Sequence, residues 1–408
     1  MFVHRPPNDN FTMRLFLKFA SQIKIPHDKL YIWSAILNPN FIHYEPNNWY
    51  DIDEYGQERY NQHIIEHPEM EFRNQILNEI KNDLVMVGIK DHLTSSQFNP
   101  WVDKIPDMAK NLGYLFKMFD DKQFIFFTSL ENIEQYYDDY PNLHIIPWGG
   151  DITNQMLEYK ALDPITEKDM NSPYSFVCLN RGLRHPRAML VSLLYGLRLE
   201  KNGMISCMFQ KEIKNLLKTT NWQFTEDQTE IRDLFENGFK RFKRSKLFIN
   251  DSKDIYGLSH NDNVSNFKNS LSAYYKQSFV ELIGETSYTE PAFNITEKTL
   301  NSIYAYNFPI MISSNGSVKF LRDIGIDVFD DIIDHSYDLI KNPIDRMYKA
   351  ITDNLLLLTD VDRTKQLWIN SRHRFDYNLA FAKKNLYDFY ISRAETRFAE
   401  TLQKIEDK

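Results

Sequence analysis

The chain has 408 residues, 42% hydrophobic and 25% charged, which is more than one ordinary core needs and excludes a disordered chain. A net charge of −8 argues against a general nucleic-acid binder, and a content of two cysteines, Cys178 and Cys207, excludes a disulfide framework or a cysteine-rich zinc site. No run reaches the length of a membrane span, and the first residues, broken by Arg14 and Lys18, lack a signal-peptide core, so a cytoplasmic protein without a transmembrane segment is expected.

In chain order, the first thirty residues read as irregular, and residues 38–62, rich in Asn, Tyr, Asp and Pro, read as loop. A helix is predicted at 72–81. Short apolar runs at 83–89, 124–127 and 143–146 suit buried strands, and their alternation with helical stretches predicts an α/β domain over residues 1–160. Residues 149–173 are polar, contain Gly149, Gly150, Pro164 and Pro173, and read as an inter-domain linker. A strand follows at 175–179, and Pro186 opens a periodic helix that runs to about Leu199. Residues 209–270 are less regular, and the basic run at 240–246 reads as a solvated face. A strand at 279–283, a helix at 296–306, a strand at 308–312 and a helix at 317–323 predict a second α/β domain over 174–350. From Pro343 the pattern is helical to the end, and residues 351–408 are expected to pack across both domains.

Chemistry concentrates in two places. The first is the stretch from Glu285 to Leu300, where a strand ends, a polar loop follows and a helix begins at Thr296. Threonine is a good N-cap, and a helix N-terminus offers free N–H groups and partial positive charge to a diphosphate. Glu297 has two acceptor oxygens for ribose hydroxyls, and Lys298 carries a point charge for phosphate. A capped helix with an acidic first turn and an exposed lysine accounts for the same spacing. The second place is Asn180, Arg181, Arg184 and Arg187, between a strand and a helix. A cation in the first helical turn opposes the helix dipole; an anion such as pyrophosphate resolves the conflict, and so does pairing with acidic residues of the chain.

The order of these features resembles the donor-binding half of the fucosyltransferase-like glycosyltransferases, over about residues 175–340. The matching positions are Arg181, Glu285, Asn294, Ile295, Thr296, Glu297 and Lys298, followed in order by Phe308, Pro309, Ile310, Asn315 and Gly316. The resemblance implies the GT-B fold, in which two Rossmann-like domains face each other across a cleft. It implies transfer of a sugar from a nucleoside-diphosphate donor, GDP-fucose in this family, to a glycan or other hydroxyl acceptor. Arg181 and Lys298 would hold the diphosphate and Glu297 the ribose. The family's aromatic residue before Val-Thr-Glu-Lys is Asn294 here, which leaves the base and sugar open.

An inverting transfer needs a base for the acceptor hydroxyl, while cations and helix dipoles stabilise the phosphate leaving group, so no metal or cofactor is expected. The resemblance implies a glutamate of the N-terminal domain as that base. Glu131, after the strand at 124–127, is the candidate, with Asp151 the alternative and Asp91-His92 a further one. Trp101 and Trp148 suit either acceptor stacking or core packing. Two rivals remain: a non-catalytic nucleotide- or glycan-binding protein of the same fold, and a zinc peptidase built on His63, Glu66 and His67, although Pro68 opposes helical geometry at His67.

Overall fold

The computed structural model describes residues 2–4, 30–33, 85–90, 123–128, 130–132, 143–149, 152, 156, 159–180, 185–206, 224–242, 267, 271–285, 288, 292 and 294–406. The chain divides into two compact units, one of Met1–Gly150 with Ile391–Lys408 and the other of Asp151–Tyr390.

The first unit holds a wholly parallel sheet of β1 (Phe2–His4), β2 (Leu30–Trp33), β3 (Val85–Lys90), β4 (Gln123–Thr128) and β5 (Leu143–Pro147), in that spatial order. Strands of parallel sheets are generally buried on both faces, which fits the continuous apolar runs of β4 and β5. Ile125 and Phe127 are buried, and the Phe127 ring meets Phe398 at 5.2 Å between centroids. β1 lies in the stretch that the sequence reads as irregular and β2 at its end, where no element was expected; at three and four residues they are too short to show a period.

The second unit is built on β6 (Phe176–Cys178), β7 (Gly203–Ile205), β8 (Val280–Gly284) and β9 (Phe308–Ile312), all parallel in the order β7-β6-β8-β9. Helix α1 (His185–Gly196) links β6 to β7. The chain then passes through α2 (Thr229–Phe242) and α3 (Ser272–Lys276) and returns on the other side of β6 as β8; α4 (Glu297–Tyr304) links β8 to β9. The strand order therefore reverses between β6 and β8. Side-chain alternation along β8 shows the two faces: Gly284 meets α1 through Arg187 and Leu190, whereas Glu285, one residue on, meets α4 through Thr296 and Thr299. Helices thus cover both faces, as in a doubly wound sheet.

The expected irregular stretch 209–270 contains α2. A capping arrangement of Thr225 and Gln228 precedes this helix, and the Thr225 amide donates to Gln228 Oε1 at 3.0 Å. Contact between α1 and α2 is so close that a Cβ on Gly238 would lie 1.8 Å from the Ser192 carbonyl oxygen, and one on Gly196 2.3 Å from that of Leu234. Of the basic run, Lys240 and Arg241 sit in the last turn of α2 and pair with Glu236 and Glu200. The stretch expected to be a linker is packed where it is described: Tyr159, Leu162 and Ile165 are buried in the second core, and Ile165 N donates to Tyr304 O at 2.7 Å.

After β9 come α5 (Ser317–Asp323), α6 (Pro343–Thr352), α7 (Leu355–Thr359), α8 (Val361–Asn370), α9 (Arg372–Phe381) and α10 (Tyr387–Glu406). Asn342 caps α6 by accepting from Ile344 N at 2.9 Å and Asp345 N at 3.1 Å, with Pro343 in its first turn. Trp368 and Phe375 bring α8 and α9 into the core beside Phe279 and Phe308. Among the described residues, no helix is long and apolar enough to cross a membrane.

Beneath the sheet, Glu281 is buried with Oε1 accepting from Tyr275 OH at 2.8 Å, and Lys168 donates to Tyr275 O at 2.7 Å and to Asn307. Burial pushes the Glu281 carboxyl up from 4.5 to about 8, against the Tyr275 hydrogen bond and the Lys168 charge. Below pH 4.5 the group is protonated in folded and unfolded chains alike. Between 4.5 and 8 the unfolded chain gives up the proton and the folded chain keeps it, so this contribution to stability is lost as pH rises to about 8. The slope is about 1.4 kcal/mol per pH unit. Glu281→Gln is expected to melt higher than the parent protein at pH 8 and to lose that advantage near pH 5. Thermal melts across this range check it, and parallel profiles refute it.

Candidate functional site

The C-terminal ends of β6 and β8 flank the reversal of strand order, the place where open α/β sheets form a ligand crevice. Asn180, just past β6, is held by its backbone amide and by its side chain. Its N–H donates to Ser206 Oγ at 3.0 Å, and its Nδ2 donates to Ser206 O at 3.2 Å and Cys178 Sγ at 3.2 Å. Because the Ser206 carbonyl can only accept, the amide is oriented, and Oδ1 is left toward β8, buried and without a protein donor. A Cβ on Gly284 would come within 3.3 Å of that oxygen and 3.4 Å of Arg187 Cγ, so glycine lets these two side chains close over the strand end. Arg187 is 7% exposed and donates from Nε to Gly284 O at 3.2 Å.

On the other face Glu285 has no exposed surface. Its carboxylate accepts from Thr296 Oγ1 at 2.8 Å, Thr296 N at 3.4 Å and Thr299 Oγ1 at 3.4 Å. The Thr296 hydroxyl in turn accepts from Lys298 N at 3.4 Å and Lys298 Nζ at 3.1 Å. Lys298 Nζ lies 2.9 Å from Glu297 Oε1 and 3.8 Å from Glu285 Oε2. Thr296 is therefore the N-cap expected of it, and its hydroxyl also joins the buried carboxylate to the lysine.

Burial pushes the Glu285 carboxyl up, with Glu297 reinforcing the push and Lys298, Thr296 and Arg187 opposing it. For Glu297 burial also pushes upward, but the charge and hydrogen bond of Lys298, together with Arg187, bring it down to about 2. Arg187 acts on both carboxylates, so the cation from α1 and the lysine from α4 belong to one electrostatic cluster. At the N-terminus of α4 the Thr296 hydroxyl accepts from Lys298 N and the Thr296 carbonyl from Thr299 N, while Glu285 holds Thr296 itself. The N-terminus of α5 is satisfied by Asp338, which accepts from Lys319 N at 3.0 Å and Val318 N at 3.2 Å. A diphosphate approaching Lys298 meets a lysine already shared by two carboxylates.

Of the residues singled out in the sequence, Asn180, Arg187, Glu285, Thr296, Glu297 and Lys298 come together at this sheet edge, and Asn294 is buried beside them in sequence at 2% exposure. Arg181, Arg184, Asp151, Asp91, His92, Trp101, His63, Glu66 and His67 lie outside the described residues. Glu131 is buried at the end of the first unit's sheet and paired with Arg393, whose Nη2 also reaches Pro147 O at 3.4 Å. Trp148 is buried as well, 2% exposed. Two residues that the sequence did not single out hold the neighbourhood together: Asp338, and Arg346, which is 3% exposed and donates to Ser313 O at 2.9 Å. Among the described residues no group of three or more His, Cys, Asp or Glu side chains could hold a metal ion.

Comparison with protein-family models, with curated proteins and with solved structures finds no match.

The Glu131–Arg393 pair separates two roles for Glu131. Removing one partner of a buried ion pair costs about 3 kcal/mol, so Arg393→Ala and Glu131→Gln are each expected to lower stability by roughly that amount in urea unfolding. A Glu131→Gln variant of unchanged stability would remove the structural role and leave Glu131 to chemistry.

Proposed function

We propose that this chain is a glycosyltransferase that takes a sugar from a nucleoside-diphosphate donor bound where β6 and β8 end. The observation that carries the reading is the convergence of Asn180 and Arg187 from one side of the strand-order reversal with Glu285, Thr296, Glu297 and Lys298 from the other. Glu285, Thr296, Glu297 and Lys298 are among the positions at which the sequence resembles the fucosyltransferase-like family; Asn180 and Arg187 flank Arg181, the arginine of that resemblance.

In this reading Lys298 exchanges Glu297 for the diphosphate, and the released Glu297 carboxylate accepts the two ribose hydroxyls. Arg187, with Arg181 and Arg184, adds positive charge as the leaving group gains negative charge. The acceptor oxygen bonds to the anomeric carbon as the bond from that carbon to the phosphate oxygen breaks. The hydroxyl proton passes to a base and configuration inverts. Glu131 or Asp151 serves as the base. No metal is required, since cations of the chain meet the leaving group. GDP-fucose is the donor that the family resemblance suggests, and Asn294 in place of an aromatic residue leaves the base open.

A second reading, a nucleotide- or glycan-binding protein without transfer activity, draws on one observation: Glu131 is buried and already paired with Arg393. A binding protein needs the cation cluster and no base.

The test is a thermal-shift screen with GDP, UDP, dTDP and CMP and their sugars. A ligand at 100 times its Kd stabilises the fold by about 2.7 kcal/mol, a rise of several degrees for a domain of this size. Lys298→Ala, Arg181→Ala and Arg187→Ala are each expected to abolish that rise. Unchanged stabilisation in all three would sink the site, whereas binding without donor hydrolysis or transfer would favour the second reading.

A further inference from the structure

We propose that Arg346 is the positioning residue of this site. Its guanidinium clamps the connection from β8 to α4, the residues after β9 and the approach to α6, and so holds Thr296, Glu297 and Lys298 ready for a diphosphate. The assignment rests on the donor reading above.

Arg346 projects from α6, a helix fixed at its start by the Asn342 cap and Pro343. Its Nε donates to Ser313 O at 2.9 Å, and its Nη1 donates to Ile340 O at 2.6 Å and Lys341 O at 3.1 Å. Nη2 donates to Tyr288 O, and the guanidinium lies 5.0 Å from the centre of the Tyr288 ring. The Tyr288 hydroxyl returns to Pro343 O, so Tyr288 is bound to α6 by backbone, ring and hydroxyl together. Every one of these hydrogen-bond acceptors is a main-chain carbonyl. The acid whose charge acts on Arg346 is Asp338, and its carboxylate is engaged at the N-terminus of α5.

A buried arginine that bonds only carbonyls gains little as an ion pair; what it supplies is geometry. The planar fork of five N–H groups reaches several segments in a fixed geometry, which a lysine ammonium, with three rotatable donors, does not impose. The segments gripped are the ones that border the site. Tyr288 follows Glu285 by three residues, and Ser313 is the first residue beyond β9. The next residue, Ser314, donates from Oγ to Ala292 O at 3.1 Å, four residues before Thr296. The connection from Glu285 to Thr296 is thus tied to the rest of the unit at Tyr288 and again at Ala292. Ordering a connection of that length costs conformational entropy, and if it is ordered before the ligand arrives, binding does not bear that cost.

The test combines amide hydrogen exchange with calorimetric titration of inorganic pyrophosphate and of GDP, on the full chain well below its melting temperature. Arg346→Lys keeps the charge and removes the fork. It is expected to speed exchange across residues 286–296 and to weaken pyrophosphate and GDP binding by about tenfold, while α8 exchanges as in the parent. Ser314→Ala, which deletes one neutral hydrogen bond, is expected to move both readouts in the same direction by less, and serves alone if Arg346→Lys does not fold. Unchanged exchange over 286–296, or faster exchange with unchanged affinity, overturns the assignment. A parent protein that binds neither pyrophosphate nor GDP overturns the donor reading itself and the ligand role of Arg346 with it, an outcome distinct from a failure seen only in the variants.

Discussion

Glu285 sits without exposed surface where β8 ends, and a carboxylate in that position must be met by donors or lose its charge. The donors it meets, the N–H and hydroxyl of Thr296 and the hydroxyl of Thr299, all belong to the start of α4. That requirement sets where α4 begins and, through the shared Thr296 hydroxyl, where the Lys298 ammonium lies. Between β8 and α4, Tyr288 and Ala292 are bonded to Arg346 and Ser314. The local geometry of the candidate site follows from satisfying one buried acid.

The opposite face of the sheet contributes through a different contact. Arg187 reaches the strand end because Gly284 has no side chain to obstruct it, and its charge then bears on Glu285 and Glu297 across the edge. A doubly wound sheet makes this possible: where strand order reverses, helices on the two faces diverge and leave an edge that both can address. The carboxylates and cations gathered there nearly compensate one another, so an incoming anion is received by exchange of partners more than by an open positive field.

How much of this was legible in the sequence depended on how local the cause was. β8 and β9 stand out because buried parallel strands are unbroken apolar runs, and Asn342-Pro343 and Thr296 announce their helices by capping chemistry. β1 and β7, at three residues each, carry no measurable period. α2 was legible and missed: Ile231, Phe235, Phe239 and Phe242 recur at helical spacing, and Thr225 and Gln228 stand before them as a capping pair. Within the site, the cap at Thr296 was readable, but its bond to Glu285 depends on a turn that brings together residues eleven apart. Arg346 left no trace at all, because its partners are carbonyl oxygens, which every residue possesses.

The seam between α1 and α2 carries a consequence for how this protein will respond to mutagenesis. At Gly238 the two backbones touch, and even a methyl group there must push α1 away from its neighbour. Because α1 is a stiff rod with Arg187 in its first turn, a wedge driven in near one end becomes leverage at the other. A library screened for lost anion binding would return Gly238 beside Lys298, and a map drawn from such hits would trace the rod as well as the residues at the strand ends.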